Sequence, residues 1–359
     1  MKKIILTTFL LITALMSSNT EVQSYYGQYD IKTKKIGNAA KSLKEPIQEN
    51  WVFETKSNKK YNIAVLFPHV KDSYWLAINN GILKEANRLG VTFDLYEAGG
   101  YNNFGKQKRQ FLKAMKNNYD GIILGSISYN KLNEDIKNSN IPVVEVTNDI
   151  EAQYIKAKSL VSFFDMGYKA ALYVITDSKN SYKNVAFLPG PKNSGWADDT
   201  YLGFKQALKD NNIKNIKVYN PIFGDTGKVT QKGLIKRAIK KYEDVDYLVG
   251  NAVAASIAPD VLASLNQKHT KIVSTYIIPE VFNLIRQGKV AAASSDMTIV
   301  QGKIALDMMV KILNGKKPGV DFAFRAGPNI PVVTKKNIVK YKYISIFGEK
   351  NFDVVFSNK

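Results

Sequence analysis

From about residue 62 onward, short runs of Val, Ile and Leu bounded by turn residues alternate with stretches whose apolar positions recur every three or four residues. That rhythm predicts strands at 62–68, 91–97, 121–125 and 142–147, then at 184–189, 216–223, 247–251, 271–276 and 290–295. The apolar runs lack clean alternation with polar residues, as strands do when helices cover both faces of a parallel sheet. The intervening stretches read as crossover helices. In the clearest, residues 73–89, Trp75, Ile78, Ile82, Ala86 and Leu89 share one face and Gly90 supplies the stop. Four strands, a connection carrying a helix at about 163–175, and five more strands predict an α/β chain. Its two doubly wound parallel-sheet lobes would hold a ligand cleft between them.

The beginning of the chain has a different pattern. Met1, Lys2 and Lys3 precede an apolar stretch at 4–16, followed by small and polar residues to Ser24. This is the layout of a secretory signal peptide at 1–24, its cleavage falling between about Met16 and Ser24. The apolar stretch is shorter than a spanning helix needs. A polar, lysine-rich leader at 25–60 follows, and no cysteine is present to carry a lipid anchor, so the expected location is the periplasm.

Composition narrows the chemistry further. With 359 residues, 45% hydrophobic, the chain has room for two domains with their own cores. Zero cysteines remove disulfides and thiolate chemistry. His69 and His269 lie far apart, without partners at metal-ligand or catalytic spacing. No cofactor and no metal are expected. Fifty-one Lys and Arg against 31 Asp and Glu give a net charge of +20. The lysines spread over every predicted helix, which reads as a basic, solvated surface and not as a nucleic-acid stripe.

Ligands of doubly wound sheets bind at the carboxyl ends of the strands, so the loops there carry the candidate chemistry. In the loop at 68–75, Asp72 or Ser73 caps a helix whose first turn holds Tyr74 and Trp75. A plain cap with a core tryptophan fits that loop equally well. At 98–101, Gly99 and Gly100 form a tight turn with Tyr101 at its tip. Phe163, the loop at 189–196 and Tyr276 follow at later strand ends. Asp296, beside a lobe crossing, either accepts ligand hydrogen bonds or fixes the hinge. Asp198 and Asp199 suit the positive end of a helix dipole in solvent. Gly190 to Gly195 lacks the lysine and hydroxyl of a phosphate-binding loop.

Six strings occur in matching order: KDSYWLAINNGILKEA at 71–86, YEAGGY at 96–101, FDMGY at 164–168, FLPGPKNSG at 187–195, GNAVAA at 250–255 and AASSDMTIVQG at 292–302. On these the chain resembles type I periplasmic binding proteins, and within them the TorT-like family that binds trimethylamine N-oxide and works with TorS-type sensor histidine kinases. The resemblance implies lobe 1 at 61–162 plus 297–322 and lobe 2 at 163–296 plus 323–359. It implies an aromatic ligand box at Tyr74, Trp75, Tyr101 and Tyr276. Where the family carries tryptophan before the Phe-x-Met-Gly-Tyr element, this chain has Phe163, a smaller ring that reshapes one wall. Asp72 and Asp296 are the candidate polar partners.

The function so implied is non-enzymatic: sensing of trimethylamine N-oxide or a related small amine oxide, and regulation of a membrane kinase through its periplasmic domain. Aromatic faces attract a methylated, partly positive nitrogen, and a phenol or indole proton can donate to the oxide. The alternative is the substrate-binding component of an ABC uptake transporter for a sugar or sugar-like molecule, whose hydroxyls would require more polar side chains.

Overall fold

A computed structural model describes residues 20–26, 46–151, 154–242 and 244–359. Fourteen strands are described: β1 (Glu21–Tyr25), β2 (Ile47–Asn50), β3 (Asn62–Phe67), β4 (Thr92–Glu97), β5 (Gly121–Leu124), β6 (Val143–Val146), β7 (Ala157–Ser159), β8 (Lys183–Leu188), β9 (Ile216–Val218), β10 (Tyr247–Gly250), β11 (Lys271–Ser274), β12 (Ala292–Ser294), β13 (Arg325–Pro328) and β14 (Val332–Thr334). The helices are α1 (Ser73–Leu89), α2 (Phe104–Lys116), α3 (Asn133–Lys137), α4 (Phe163–Ser178), α5 (Trp196–Asp210), α6 (Lys228–Lys241), α7 (Ala252–Ser264), α8 (Pro279–Gln287), α9 (Thr298–Leu313) and α10 (Tyr343–Phe347).

Two sheets result. Lobe 1 has the order β2-β1-β13-β7-β6-β5-β3-β4 and lobe 2 the order β14-β12-β11-β10-β8-β9. The central strands pair in parallel, while β1, β2 and β14 run antiparallel at the edges. In β3 the side chains from Ile63 to Phe67 are buried on both faces, which is why no alternation marks the sequence there. The same packing device recurs in both lobes. Gly81 of α1 and Gly302 of α9 let those helices touch backbone to backbone, and Gly167 of α4 and Gly203 of α5 do so in lobe 2. A Cβ at any of the four would collide with a carbonyl oxygen of the opposite helix.

The chain crosses between lobes after β7, after β12 and between β13 and β14. This differs from the expected division in two places. Strand β13, at Arg325–Pro328, lies in the lobe 1 sheet, paired with β7 and β1. The chain end also returns to lobe 1, where Leu95 N donates to Phe356 O at 2.7 Å and Val355 N to Asn79 Oδ1 at 2.8 Å. The amino-terminal expectation changes as well. Residues 1–19, with the apolar stretch, and most of the leader, at 27–45, lie outside the described residues. Glu21–Tyr25, placed by sequence across the signal boundary, is strand β1 with Val22 and Ser24 buried. Cleavage after Ser24 would remove that strand from the sheet.

Lobe 1 also buries ions. Glu145 of β6, Lys158 of β7 and Arg325 of β13 are register partners in one row across the sheet, and Tyr25 of β1 continues it. Lys158 Nζ lies 2.5 Å from Asp149 Oδ1, 3.2 Å from Glu145 Oε2 and 2.6 Å from the carbonyl of Ile150. The Arg325 guanidinium sits 5.1 Å from the Tyr25 ring centre.

Candidate functional site

The cleft is built from loop ends that the two sheets bring face to face. On the lobe 1 side, Asp72 caps α1 by accepting from Trp75 N at 3.3 Å, which fixes Tyr74 and Trp75 in the first turn. Trp75 packs on Phe67 with ring centres 4.6 Å apart. Gly99 and Gly100 hold φ of 92° and 147°, a turn that other residues adopt only with strain, and it delivers Tyr101 to the cleft. The Tyr101 hydroxyl accepts from Asn148 Nδ2 at 3.2 Å, and its ring lies 5.6 Å from His69.

On the lobe 2 side, Ser162 caps α4 by accepting from Asp165 N at 3.0 Å and so places Phe163 at the helix start. Trp196 opens α5, and Tyr276 follows β11, where its carbonyl accepts from Ser274 Oγ at 2.6 Å. Ring contacts join the two sides, Tyr74 to Tyr276 edge-to-face at 5.2 Å and Tyr101 to Trp196 at 6.1 Å, while within lobe 2 Trp196 meets Tyr276 at 5.8 Å and Phe163 at 5.7 Å.

These side chains surround a pocket with about 280 Å³ of empty space, part of it open to solvent, lined from lobe 1 by His69, Asp72, Tyr74, Trp75, Tyr101 and Asn148, and from lobe 2 by Phe163, Trp196, Thr226 and Tyr276. Six of the seven residues expected from sequence, Asp72, Tyr74, Trp75, Tyr101, Phe163 and Tyr276, are thus brought together. The seventh, Asp296, is not part of the lining. It stands behind Tyr74 and accepts from the Tyr74 hydroxyl at 2.7 Å and from Gln301 Nε2 at 3.1 Å. Of the two roles open to it, the geometry is that of a tie between lobes. Ser73 Oγ donating to Glu280 Oε2 at 2.7 Å is a second tie.

Four lining residues were not expected. Trp196 ends the glycine-rich loop at 189–196, and Asn148 follows β6 at its carboxyl end, so the strand-end rule reached both neighbourhoods without choosing them. His69 sat in the first loop but was set aside for lack of a catalytic partner. Thr226 carries no signal in the sequence. The Phe163 wall is also fuller than a smaller ring implies, because Trp196 lies against it.

Asp72 is the one carboxylate in the lining, and no Lys or Arg lines the pocket. Burial pushes the Asp72 carboxyl upward against the opposing pull of His69, and burial pushes the His69 imidazole down against Asp72. Burial likewise raises the Tyr74, Tyr101 and Tyr276 phenols, which stay protonated as donors. Burial moves Asp296 up to about 6, although the bonds from Tyr74 and Gln301 pull the other way. The Trp196 indole N–H is buried with no acceptor. Ring faces, unspent donors and one carboxylate suit a small dipolar or cationic guest and repel an anion. No group of side chains suited to hold a metal ion occurs among the described residues.

Residues 63–317 match the periplasmic binding protein domain. The chain belongs to the periplasmic binding protein family. Within that family it is TorT-like, being 30% identical over 284 residues to the periplasmic protein TorT of Escherichia coli O157:H7, across 79% of this chain and 80% of that one. Among solved structures, a TorS sensor domain–TorT complex in the presence of TMAO superposes with TM-score 0.73 at 27% identity, covering 83% of this chain and all of the other. An ABC transporter solute-binding protein from Bradyrhizobium sp. BTAi1 with bound bis-tris superposes at 0.77 and 32% identity, covering 94% and 98%. As a periplasmic binding protein, the chain comes from a family that binds ligands and does not transform them.

Proposed function

We propose that this protein is a periplasmic receptor that closes on trimethylamine N-oxide or a related small amine oxide and regulates a TorS-like sensor histidine kinase through that kinase's periplasmic domain. The observation that carries the reading is the box of five tyrosine and tryptophan rings, with Asp72 as its one carboxylate. Methyl groups on a positive nitrogen rest on ring faces, each worth about 0.5–2 kcal/mol. The oxide takes a hydrogen bond from a phenol or from the free Trp196 indole. With five heavy atoms at about 1.5 kcal/mol each, affinity is capped near the low micromolar range. Among the described residues no helix is long and apolar enough to cross a membrane, which agrees with a partner that spans it.

A second reading, delivery of a sugar-like molecule to an uptake transporter, is favoured by the likeness to the Bradyrhizobium solute-binding protein. The dominance of aromatic rings in the lining, with Asp72 as its one carboxylate and no Arg, weighs against a polyol. Calorimetric titration with trimethylamine N-oxide, trimethylamine and ribose in parallel decides between them. Saturable micromolar binding of the N-oxide without ribose supports the sensor, ribose binding alone supports the transporter, and absence of all three refutes the box as an amine-oxide site.

A further inference from the structure

Within the basic, solvated surface, positive charge concentrates on one helix. On α6, Lys228, Lys232, Lys236 and Lys240 recur every fourth residue with Arg237 and Lys241 beside them, and the helix contains no Asp or Glu. All six cations are exposed. Side chains four apart stack along one face, where like charges destabilise a helix. Lys228 also stands in the first turn, at the positive dipole end, with no acid near it in the turn. The arrangement therefore works against the stability of α6 itself.

Helix α2 is the internal comparison. It too carries cations and no acid, but two of its five are paired, Lys106 with Glu97 at 3.6 Å and Lys108 with Asp135 at 3.1 Å. On α6, none of the six cations enters an ion pair among the described residues. The next carboxylates, Glu243 and Asp244, come only after the helix ends. Val229, 88% exposed, adds one apolar side chain at the start of this face, and Gly233 leaves open space at its middle.

We propose that this face of α6 docks the protein on an anionic phospholipid surface. Charge complementarity identifies the occupant: six exposed cations on one helix face, five of them lysines, match a diffuse layer of anionic headgroups that needs no fixed pairing geometry. Each cation near such a surface strengthens binding by roughly fivefold, so a stripe of six suffices for reversible attachment. Thr226, which lines the ligand cavity, lies two residues before α6. Docking would hold lobe 2 at the membrane and leave lobe 1 to move as the cleft opens and closes.

The test is co-sedimentation of the purified protein with phosphatidylcholine vesicles containing about one-third phosphatidylglycerol, against phosphatidylcholine alone, at low and high salt. The expected result is binding to the anionic vesicles only, weakened more than tenfold by salt. The triple variant K228E/K232E/K236E should lose more than tenfold, while R109E/K113E/K116E on α2, with the same change in charge, loses less than threefold. Equal losses in the two variants would mean that net charge alone is read, and would overturn the proposal. Failure of the unmodified protein to bind anionic vesicles would also overturn it, including the case in which α6 instead carries binding to a purified TorS-type sensor domain. None of these outcomes depends on which ligand fills the cleft.

Discussion

Two regions bury polar atoms where the lobes approach each other, and they do so by opposite means. The ligand box uses rings, with phenols and an indole as its hydrogen-bonding edge and one carboxylate in its wall. The row Glu145, Lys158 and Arg325 places ionisable groups inside the lobe 1 sheet, joined by Asp149 from the loop after β6, and burial pushes the Glu145 carboxyl well up against the pull of Lys158. Burial opposes the charge on Lys158, yet Asp149 and Glu145 outweigh it and raise its affinity for the proton. A ring can lose its neighbour and remain a ring, whereas a buried ion that loses its neighbour is left uncompensated. The box is therefore free to open, bind and close, whereas the ion row ties the lobe 1 strands together and its Asp149 also bears on the buried Asp199 of lobe 2.

The strongest way to break this contrast is Lys158→Met, which leaves Glu145 without its cation and Asp149 with Arg325 as its remaining one. Urea unfolding should show a loss of about 3–5 kcal/mol, and adding Glu145→Leu should recover part of it. A neutral outcome for the single variant would mean that the row is already uncharged.

Asp296 sits between the two regimes and gives a pH signature. Its carboxyl is raised from 3.8 to about 6, so the folded state holds the proton more tightly than the unfolded chain. Its contribution to stability is level below pH ~4, falls as pH rises from ~4 to ~6, and is level again above, a total of up to about 3 kcal/mol. Asp296→Asn keeps an oxygen for Tyr74 and should flatten that part of the profile. Thermal unfolding of both proteins across this window measures the difference, and parallel curves would show that Asp296 stays ionised.

The box itself should respond in binding more than in folding. Tyr276→Leu removes a π face while keeping bulk, and should cost about 1–2 kcal/mol of N-oxide affinity by calorimetry, with little change in urea midpoint. Phe163→Trp is the mildest change. Because Trp196 already packs on Phe163, the larger ring should alter affinity by less than about 1 kcal/mol, and a greater gain would show that this wall limits recognition.

The same contrast explains which parts of the molecule were legible. Strands β3, β5, β6 and β10 could be read because nearly every side chain in them is apolar and buried. Strands β7 and β13 could not, since Lys158 and Arg325 interrupt both runs and are tolerated only because each meets a partner from another strand. Asp199 shows a related error, for it is buried and not solvated, with burial and then Asp149 pushing its carboxyl well up. Strand β1 was hidden by its position beside an export-like sequence.

What the sequence by itself determined is the lobed α/β architecture, through apolar runs of strand length spaced by helical periods, and the aromatic loop ends at Tyr74, Trp75, Tyr101 and Tyr276. Only the tertiary structure decided that Trp196, His69, Asn148 and Thr226 complete the box, that Asp296 stands behind it, and that the cations of α6 face outward without an ion pair among the described residues. Periodicity along a chain reports which side of an element is buried. It does not report which distant element will supply the neighbour, and for rings across a cleft and ions within a sheet that neighbour sets the chemistry.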